Sequence, residues 1–232
     1  MEQTMFDTLL ELPLFQGLGR GDLTRILEST RLEFETIPAQ TLLLQQDAIC
    51  DGLMFFIEGR VRMETLAANR LWSVDETMPI PSVAGLDVLY GCRRTHRHNL
   101  YAEMPTRILK MDKRTVGALT SYFEVFRLNV LNHLTTTISR RYQLDWLPAA
   151  ESLEGRLIAF FHTHVSHPAG TKLFHISLQT LGHYLGEDPR YISRALHRLS
   201  DNGLLFMERR AIEIPRFELL LQSLKNITVH ER

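Results

Sequence analysis

The segment 176–199 constrains this chain most, because it carries the spacing of two short helices joined by a tight turn. The apolar face of the first helix consists of Leu178, Leu181 and Leu185. Gly182 is small where a second helix crosses closely, and Gly186 can adopt the positive φ of the turn. Asp188 then caps the second helix, with Pro189 at its first position, where the missing N–H is harmless. The sequence therefore predicts a helix-turn-helix.

The second helix, beginning at Pro189, has an apolar face and a basic face. Its inward residues are Ile192, Ala195, Leu196 and Leu199. Away from the core it carries Arg190, Tyr191, Ser193, Arg194, His197 and Arg198. Because Arg190 and Arg194 lie one turn apart, both can face one DNA groove, where arginine can bond guanine bidentately. We expect these two arginines to read bases, with Ser193 and His197 supporting them and Tyr191 on the same face.

A basic hairpin is predicted directly after the helix-turn-helix. Two short apolar runs, 204–208 and 211–214, read as strands that flank Arg209 and Arg210. A tight hairpin with a basic tip is typical of a wing that contacts phosphate. We therefore expect Arg209 and Arg210 to bind the DNA backbone.

The N-terminal half has a different pattern, with short apolar runs of strand length. The clearest segment, 53–63, is two runs joined around Gly59, where a strand must turn or bulge. Other runs are 41–44, 71–74, 99–102 and 107–111. Strands at this spacing, with turn residues between them, predict a compact β-sandwich or barrel. The first thirty residues predict two helices separated by a break at Pro13.

A long apolar stripe follows the predicted strands. Val116, Leu119, Phe123, Phe126 and Val130 follow at steps of three, four, three and four, and Leu134 and Ile138 continue the stripe. A helix over 112–146 would span roughly 50 Å, which is more than a small barrel needs for packing. The stripe is explained either by a core helix lying across the barrel or by a two-stranded seam between subunits. Its length favours the seam, and 147–151 after it reads as a hinge.

Composition and charge narrow the class of protein. The 232 residues are 44% hydrophobic and 23% charged, with a net charge of -1. Cys50 and Cys92 are the only cysteines, which excludes a disulfide scaffold and any four-cysteine metal site within one chain. Residues 1–151 carry 16 Lys+Arg and 19 Asp+Glu, whereas 152–232 carry 10 and 8, so the C-terminal part is the better candidate for binding anions. Without a signal peptide or a membrane-length apolar run, we expect a soluble, cytoplasmic protein.

Taken together, these motifs resemble the cyclic-AMP receptor protein and fumarate–nitrate reductase regulator (CRP/FNR) superfamily of bacterial transcription factors. The resemblance covers nearly the whole chain and includes the segment Leu14-Phe15-Gln16-Gly17-Leu18 and the strand pair Phe55-Phe56-Ile57-Glu58-Gly59-Arg60-Val61. It implies an α+β fold with an N-terminal cyclic-nucleotide-binding-like β-roll (a double-stranded jelly roll), a long dimerisation helix and a C-terminal winged helix-turn-helix. The corresponding ranges are 1–111 for the sensor, 112–146 for the helix, 147–151 for the hinge and 152–232 for the DNA-binding domain.

The family resemblance also implies partners. It implies a homodimer formed through the 112–146 helix and a palindromic double-stranded DNA operator with half-sites about one helical turn apart. RNA polymerase is a further expected partner, and a membrane is not. An effector bound to the sensor would shift the population between two arrangements of the recognition helices.

The effector pocket departs from the pattern of cyclic-nucleotide binders. In those members a Glu holds the ribose and an Arg holds the cyclic phosphate, and the equivalent pairs here are Gly85-Leu86 and His96-Arg97. Leu86 cannot accept a hydrogen bond, although a shift of one residue would bring Arg97 into register. The sequence therefore predicts an effector other than cyclic AMP.

A basic cluster lies where the family's ligand pocket would be, and it consists of Arg93, Arg94, His96, Arg97 and His98. It is either a site for another anion or an exposed, solvated loop. The candidate effector pocket is Gly85, Leu86, Arg94, His96, Arg97 and His98. The histidines could ligate haem iron, as in one branch of the family, but no motif supports this. No iron–sulfur cluster or other cofactor is expected. Cys50 and Cys92 are interpreted as ordinary small apolar side chains, and a redox sensor is the alternative.

Other functional classes have less support. His162, His164 and His167 read as surface histidines, because the first two point about 200° apart on a helix and cannot converge on zinc. No phosphate loop, nucleophile elbow or paired-carboxylate motif is present, so we do not expect an enzyme. The helix pair could still be ordinary, with a solvated basic face. A ligand-sensing protein whose helix-turn-helix contacts protein and not DNA is the remaining alternative.

Overall fold

The computed structural model describes residues 5–145 and 150–230. They pack into two compact units, of which the first comprises Met1–Arg62 and Met78–Tyr142, and the second Met63–Thr77 and Gln143–Arg232. Residues 63–77, which lie inside the predicted sensor range, therefore pack with the C-terminal part of the chain. Most of the predicted hinge, 147–149, falls outside the described residues.

The first unit is built from antiparallel strands and flanking helices. Its helices are α1 (Met5–Glu11), α2 (Arg20–Ser29), α3 (Lys113–Tyr122) and α4 (Glu124–Asp145, as far as Tyr142). Its strands are β1 (Glu33–Ile37), β2 (Thr41–Leu44), β3 (Gly52–Glu58), β6 (Ser82–Ala84), β7 (Asn99–Ala102) and β8 (Thr106–Asp112). Four of them form a sheet in the order β1-β8-β3-β6, and β2 pairs with β7. The predicted α+β class is confirmed.

The core of the first unit joins distant parts of the chain through aromatic side chains. The Phe15 ring packs edge-on against Phe55, at 5.6 Å between centroids, and against Phe126 at 5.4 Å. All three side chains are fully buried. Because edge-to-face pairs add to the hydrophobic gain of burial, this cluster fixes the N-terminal segment and α4 on strand β3.

The prediction of one uninterrupted helix over 112–146 is wrong. The helix α3 ends at Tyr122, and Phe123 has extended backbone angles (φ -117, ψ 107) before α4 begins at Glu124. The Phe123 side chain packs against the core of the first unit. The apolar spacing continues through the break, so periodicity alone does not reveal it.

The second unit contains a hairpin from the N-terminal half, formed by β4 (Val61–Leu66, from Met63 onward) and β5 (Ser73–Thr77). Its helices are α5 (Leu153–Thr163), α6 (Leu178–Leu185), α7 (Pro189–Asp201) and α8 (Phe217–His230). Its remaining strands are β9 (Lys172–His175), β10 (Phe206–Glu208) and β11 (Ala211–Ile214). The antiparallel sheet runs β10-β11-β9-β5. Neither β9 nor α8 was predicted from the sequence.

No helix in the two described stretches is long and apolar enough to cross a membrane.

The turn between β3 and β4 gives a stability prediction. Gly59 has a φ of 120°, and a Cβ added there would lie 2.5 Å from Thr106 Oγ1. We expect Gly59→Ala to lower the free energy of unfolding by about 2–4 kcal/mol, because backbone strain and a clash act together.

Gly21→Ala is the matched control, since Gly21 lies in α2 with nothing within 4 Å of its added Cβ. It should be neutral or stabilise by up to about 1 kcal/mol. Urea denaturation measures both, and equal effects would contradict this account of Gly59.

Candidate nucleic-acid interface

The turn between α6 and α7 is fixed by two glycines. Gly186 has the left-handed conformation (φ 67°) and ends α6, as the sequence predicts. A Cβ on Gly182 would lie 2.5 Å from the carbonyl oxygen of Glu187, so this position has no room for a side chain. The predicted close approach is thus present, but the backbone of the turn makes it together with the ring of Pro189.

An arginine from α5 secures the same turn. The Arg156 guanidinium donates to the Leu185 carbonyl at 3.2 Å and forms an ion pair with Glu187. Both partners are about two-thirds buried, so the pair is shielded from solvent more than a surface pair is. Arg156 was not predicted from the sequence, because nothing in the local pattern shows which residue α5 directs at the turn.

The helix α7 begins and buries its apolar face as predicted. The Asp188 carboxylate accepts a hydrogen bond from the Arg190 backbone N–H at 2.8 Å, which caps the helix. The buried residues are Ile192, Ala195, Leu196 and Leu199. The exposed ones are Arg190, Tyr191, Arg194, His197 and Arg198, whereas Ser193 is half-buried. Of the α7 residues predicted to contact DNA, all but Ser193 are therefore exposed on the solvent side of the helix.

The three arginines of α7 have different partners. Arg190 makes two hydrogen bonds of 3.0 Å to the Asp188 carboxylate, and Arg198 forms an ion pair with Glu154 of α5. Arg194 lies over the ring of Tyr191, at 5.9 Å from its centroid. Among the described residues, no acidic side chain is paired with Arg194. Of the three guanidinium groups, that of Arg194 is the most available to a ligand.

The pair between Asp188 and Arg190 shifts the pKa of both groups. Hydrogen bonds from the Arg190 side chain and backbone lower the pKa of Asp188 from 3.8 to about 2. The same side-chain contact raises the pKa of Arg190. Because the folded-state pKa of Asp188 is depressed, its stabilising contribution is present above about pH 4 and is lost as the pH falls toward 2.

The predicted C-terminal hairpin is present as β10 paired with β11. Arg209 and Arg210 form its tip and are exposed, and Arg210 has a positive φ of 65°. The tip borders a shallow pocket whose other walls include the start of α6. This pocket is lined by Leu71, His175, Ile176, Ser177, Gln179, Arg209, Arg210 and Ala211. The two arginines therefore share a pocket with a helix N-terminus, and both features attract anions.

The candidate effector residues lie in the first unit, around the buried Cys50. Leu86 is 4% exposed and belongs to the core. Gly85 has a φ of 93°, and a Cβ there would lie 3.1 Å from the Cys50 sulfur. Arg94 donates to the Cys50 carbonyl at 3.4 Å, whereas Arg97 pairs with Asp87 at 3.1 Å. The structure thus brings Gly85 and Arg94 together at Cys50 but directs the Arg97 guanidinium to a carboxylate.

The other two candidates, His96 and His98, flank Arg97 and are half-buried. Burial lowers the pKa of His96, which favours the neutral form of this imidazole. Burial also raises the pKa of the Cys50 thiol, whereas Cys92 is exposed. An effector pocket at these residues stays a prediction.

The histidine triplet was expected to lie on the surface, and this expectation is wrong. His162, His164 and His167 are all half-buried. The ring of His164 packs on Trp72 at 4.8 Å between centroids, and the backbone N–H of His167 donates to Glu76 at 3.1 Å. The expectation failed for His164 and His167 because their partners Trp72 and Glu76 lie far away in sequence, in residues 63–77. In the described ranges no cluster of three or more potential metal ligands is found.

Comparisons with known proteins support the fold. No known family model matches the chain, and no curated protein matches its sequence. A transcriptional regulator of the CRP/FNR family from Eubacterium rectale is 18% identical, covers 93% of this chain and 99% of its own, and has a TM-score of 0.51. This similarity shows that the two proteins share a fold, which confirms the predicted CRP/FNR resemblance at that level.

Two further solved structures are similar at lower TM-scores. The catabolite activator protein of Thermus thermophilus is 16% identical over 93% of this chain and 99% of its own, with a TM-score of 0.46. DNR from Pseudomonas aeruginosa is 18% identical over 96% of this chain and 98% of its own, with a TM-score of 0.44.

The Asp188–Arg190 pair can be tested by titration. We expect an NMR titration of the Asp188 carboxyl to have a midpoint near pH 2, and Arg190→Ala to raise that midpoint toward 3.8. Arg194→Ala is the control and should leave the midpoint unchanged, because Arg194 does not contact Asp188. A midpoint that Arg190→Ala does not move would show that the pair is absent in solution.

Proposed function

We propose that this protein is a homodimeric, sequence-specific DNA-binding transcription regulator of the CRP/FNR type. The observation that carries the proposal is the solvent-exposed basic face of α7, which begins at a capped, glycine-dependent turn. A helix presented in this way can enter the major groove and read bases with residues near its N-terminus. The fold shared with a CRP/FNR regulator supports the same function.

Arg194 is the main base-reading residue in this proposal. Its guanidinium is exposed and lies against Tyr191, which limits its rotamers without neutralising its charge. Arg190 lies one turn earlier but is bound to Asp188, so it contacts a base only by exchanging that carboxylate for a guanine edge. Ser193 precedes Arg194 in the chain, and His197 lies about one turn after Ser193. We propose that both support the base contacts of the two arginines. Arg198 has a smaller role, because Glu154 already holds it.

The C-terminal hairpin and α6 supply phosphate contacts. Arg209 and Arg210 at the hairpin tip share a pocket with Ser177 at the start of α6. Backbone N–H groups at a helix N-terminus bind phosphate oxygens, and arginine adds charge and bidentate geometry. Such contacts position the protein on the duplex but do not read its sequence.

The proposed dimer forms through α4, but through a face that shares only Ile138 with the predicted stripe. From the predicted stripe, Val116, Leu119, Phe126 and Val130 are buried in the core of their own unit. A second stripe with the same alternation of three and four is Leu128, Leu131, Thr135, Ile138 and Tyr142. All five residues are exposed, and the four large ones are 49–63% accessible. Four large apolar side chains at coiled-coil spacing favour a second copy of the helix as their partner.

An effector other than cyclic AMP completes the proposal. The side chain at the ribose-binding position, Leu86, is apolar and packed into the core, so it provides no acceptor for a ribose hydroxyl. A regulator of this type acts on RNA polymerase, which is the further partner that we propose.

The dimer is tested by placing charge in the exposed stripe. We expect Leu131→Glu to raise the dimer dissociation constant at least roughly 100-fold, because each copy loses about 1.5–3 kcal/mol of burial and the two charges repel. Thr136→Glu adds the same charge beside the stripe and should leave the dimer nearly intact. Sedimentation equilibrium measures both variants. A wild-type protein that is monomeric at micromolar concentration would contradict the proposed dimer.

DNA recognition is tested with a pair of arginine variants. We expect Arg194→Ala to cost about 1–3 kcal/mol on a duplex selected from a random library and to relax the preference at one base position. Arg209→Ala should instead weaken binding evenly across sequences and reduce the salt slope by about 1. Fluorescence anisotropy at several salt concentrations distinguishes the two effects. Unchanged affinity and unchanged base preference for Arg194→Ala would overturn its assignment.

A further inference from the structure

The hairpin 63–77 forms part of the sheet that carries the basic C-terminal hairpin. Strand β5 pairs with β9 in antiparallel register, from Ser73 opposite His175 to Glu76 opposite Lys172. The other edge of β9 pairs with β11, which leads back to Arg210. Any change in the pairing of β5 therefore acts on the strand next to the basic hairpin. We call residues 63–77 the strap.

A buried ion pair joins the strap to the rest of the second unit. Glu76 is 2% exposed and Lys172 is 1% exposed, and their charged atoms are 3.2 Å apart. The Glu76 carboxylate also accepts hydrogen bonds from the backbone N–H groups of Ser166, at 2.9 Å, and His167, at 3.1 Å. Lys172 Nζ donates to the Ala169 carbonyl at 2.8 Å. Removal of one charge would leave the other buried without its partner, which is strongly unfavourable.

Trp72 anchors the strap by its side chain. The indole lies in an aromatic pocket formed by Phe160, His164, Phe174 and Tyr184, with centroid distances of 4.8–6.4 Å. Trp72 is 6% exposed, so nearly all of its surface is buried. Beside this pocket, the Asn69 amide donates to the Tyr184 hydroxyl at 3.1 Å, which connects the strap to α6.

We propose that the strap controls DNA affinity by docking on the second unit. Its docked form supports β9, and through β9 the basic hairpin at Arg209 and Arg210. The chain enters the strap from Arg62 and leaves it at Met78, and both residues belong to the first unit. An event in the first unit that withdraws the strap would therefore lower DNA affinity. This inference rests on the proposed DNA-binding function and adds the element through which that function is regulated.

The physical basis is a shift between docked and undocked populations. The undocked form exposes the β9 edge, empties the aromatic pocket and separates Glu76 from Lys172, so docking is favoured in the absence of a competing force. If only the docked form binds DNA tightly, the apparent dissociation constant rises as the inverse of the docked fraction. A variant that leaves about one molecule in ten docked would bind DNA about tenfold more weakly.

The test combines a weakened strap with a covalent lock. Asp75 and Leu173 lie directly opposite in the β5–β9 ladder, so Asp75→Cys with Leu173→Cys can form a disulfide only when the strap is docked. The exposed Cys92 is replaced by serine in every variant, and the buried Cys50 is kept. DNA affinity is measured on a duplex selected from a random library by the wild-type protein, with the disulfide reduced and oxidised.

We expect Glu76→Gln to weaken DNA binding about tenfold in the reduced cysteine pair and oxidation to restore wild-type affinity. Trp72→Ala empties the aromatic pocket without a change of charge and should show the same loss and the same recovery. Glu35→Gln is the matched control, because it removes the same charge from an exposed pair with Lys110 in the first unit. Its DNA affinity should equal that of the wild type. Recovery on oxidation reports docking for variants whose thermal melt, with the disulfide reduced, shows a folded protein at the assay temperature. This check is needed because a disulfide that closes so long a loop also stabilises the whole fold.

Each contrary outcome has a distinct meaning. A disulfide that does not form under oxidation would overturn docking itself. A disulfide that forms while Glu76→Gln binds DNA normally would overturn the coupling and leave DNA binding intact. A wild-type protein that selects no duplex would overturn the proposed function before any strap variant is compared.

Discussion

The recognition surface depends on the contact between the Glu187 carbonyl and Gly182. At this point the backbone of the turn passes so close to α6 that even a methyl group would clash. Gly186 reverses the chain, Asp188 starts α7, and Arg156 holds the turn from the α5 side. The direction of α7, and with it the exposure of Arg194, follows from that single approach. A side chain at position 182 would collide with this carbonyl oxygen, so the turn would have to shift.

The second unit has an exposed ion pair at the start of α7 and a buried ion pair at the strap. At the start of α7 the pair of Asp188 and Arg190 is exposed, so it is weak and a competing ligand can replace Asp188 at little cost. At Glu76 and Lys172 the charges are buried, and besides each other they bind three backbone groups fixed by the fold. Such a pair adds little net stability over apolar residues, but it imposes a specific partner and register. The exposed arginines are available to bind a ligand. The buried pair instead favours one docked arrangement of the strap.

The sequence predicts correctly those features that depend on a residue and its near neighbours in the chain. Gly59, Gly186 and Asp188 adopt the conformations that their residue types suggest, and the inward residues of α7 follow the helical period. The break at Phe123 was missed because the apolar spacing continues through it. The exposed stripe of α4 was missed because that helix has two apolar faces, and sequence spacing cannot show which one the core takes. The pairing of β5 with β9 joins residues about 100 positions apart, which single-sequence patterns do not encode.

The central claim is that two copies of α7 read a symmetric DNA site. Hydroxyl-radical footprinting of the wild-type protein on its selected duplex tests this claim most directly. Two protected half-sites related by a two-fold axis and centred about 10 base pairs apart would agree with it, because a dimer places its recognition helices about one helical turn apart. A single asymmetric protected segment, or uniform protection without a boundary, would contradict it.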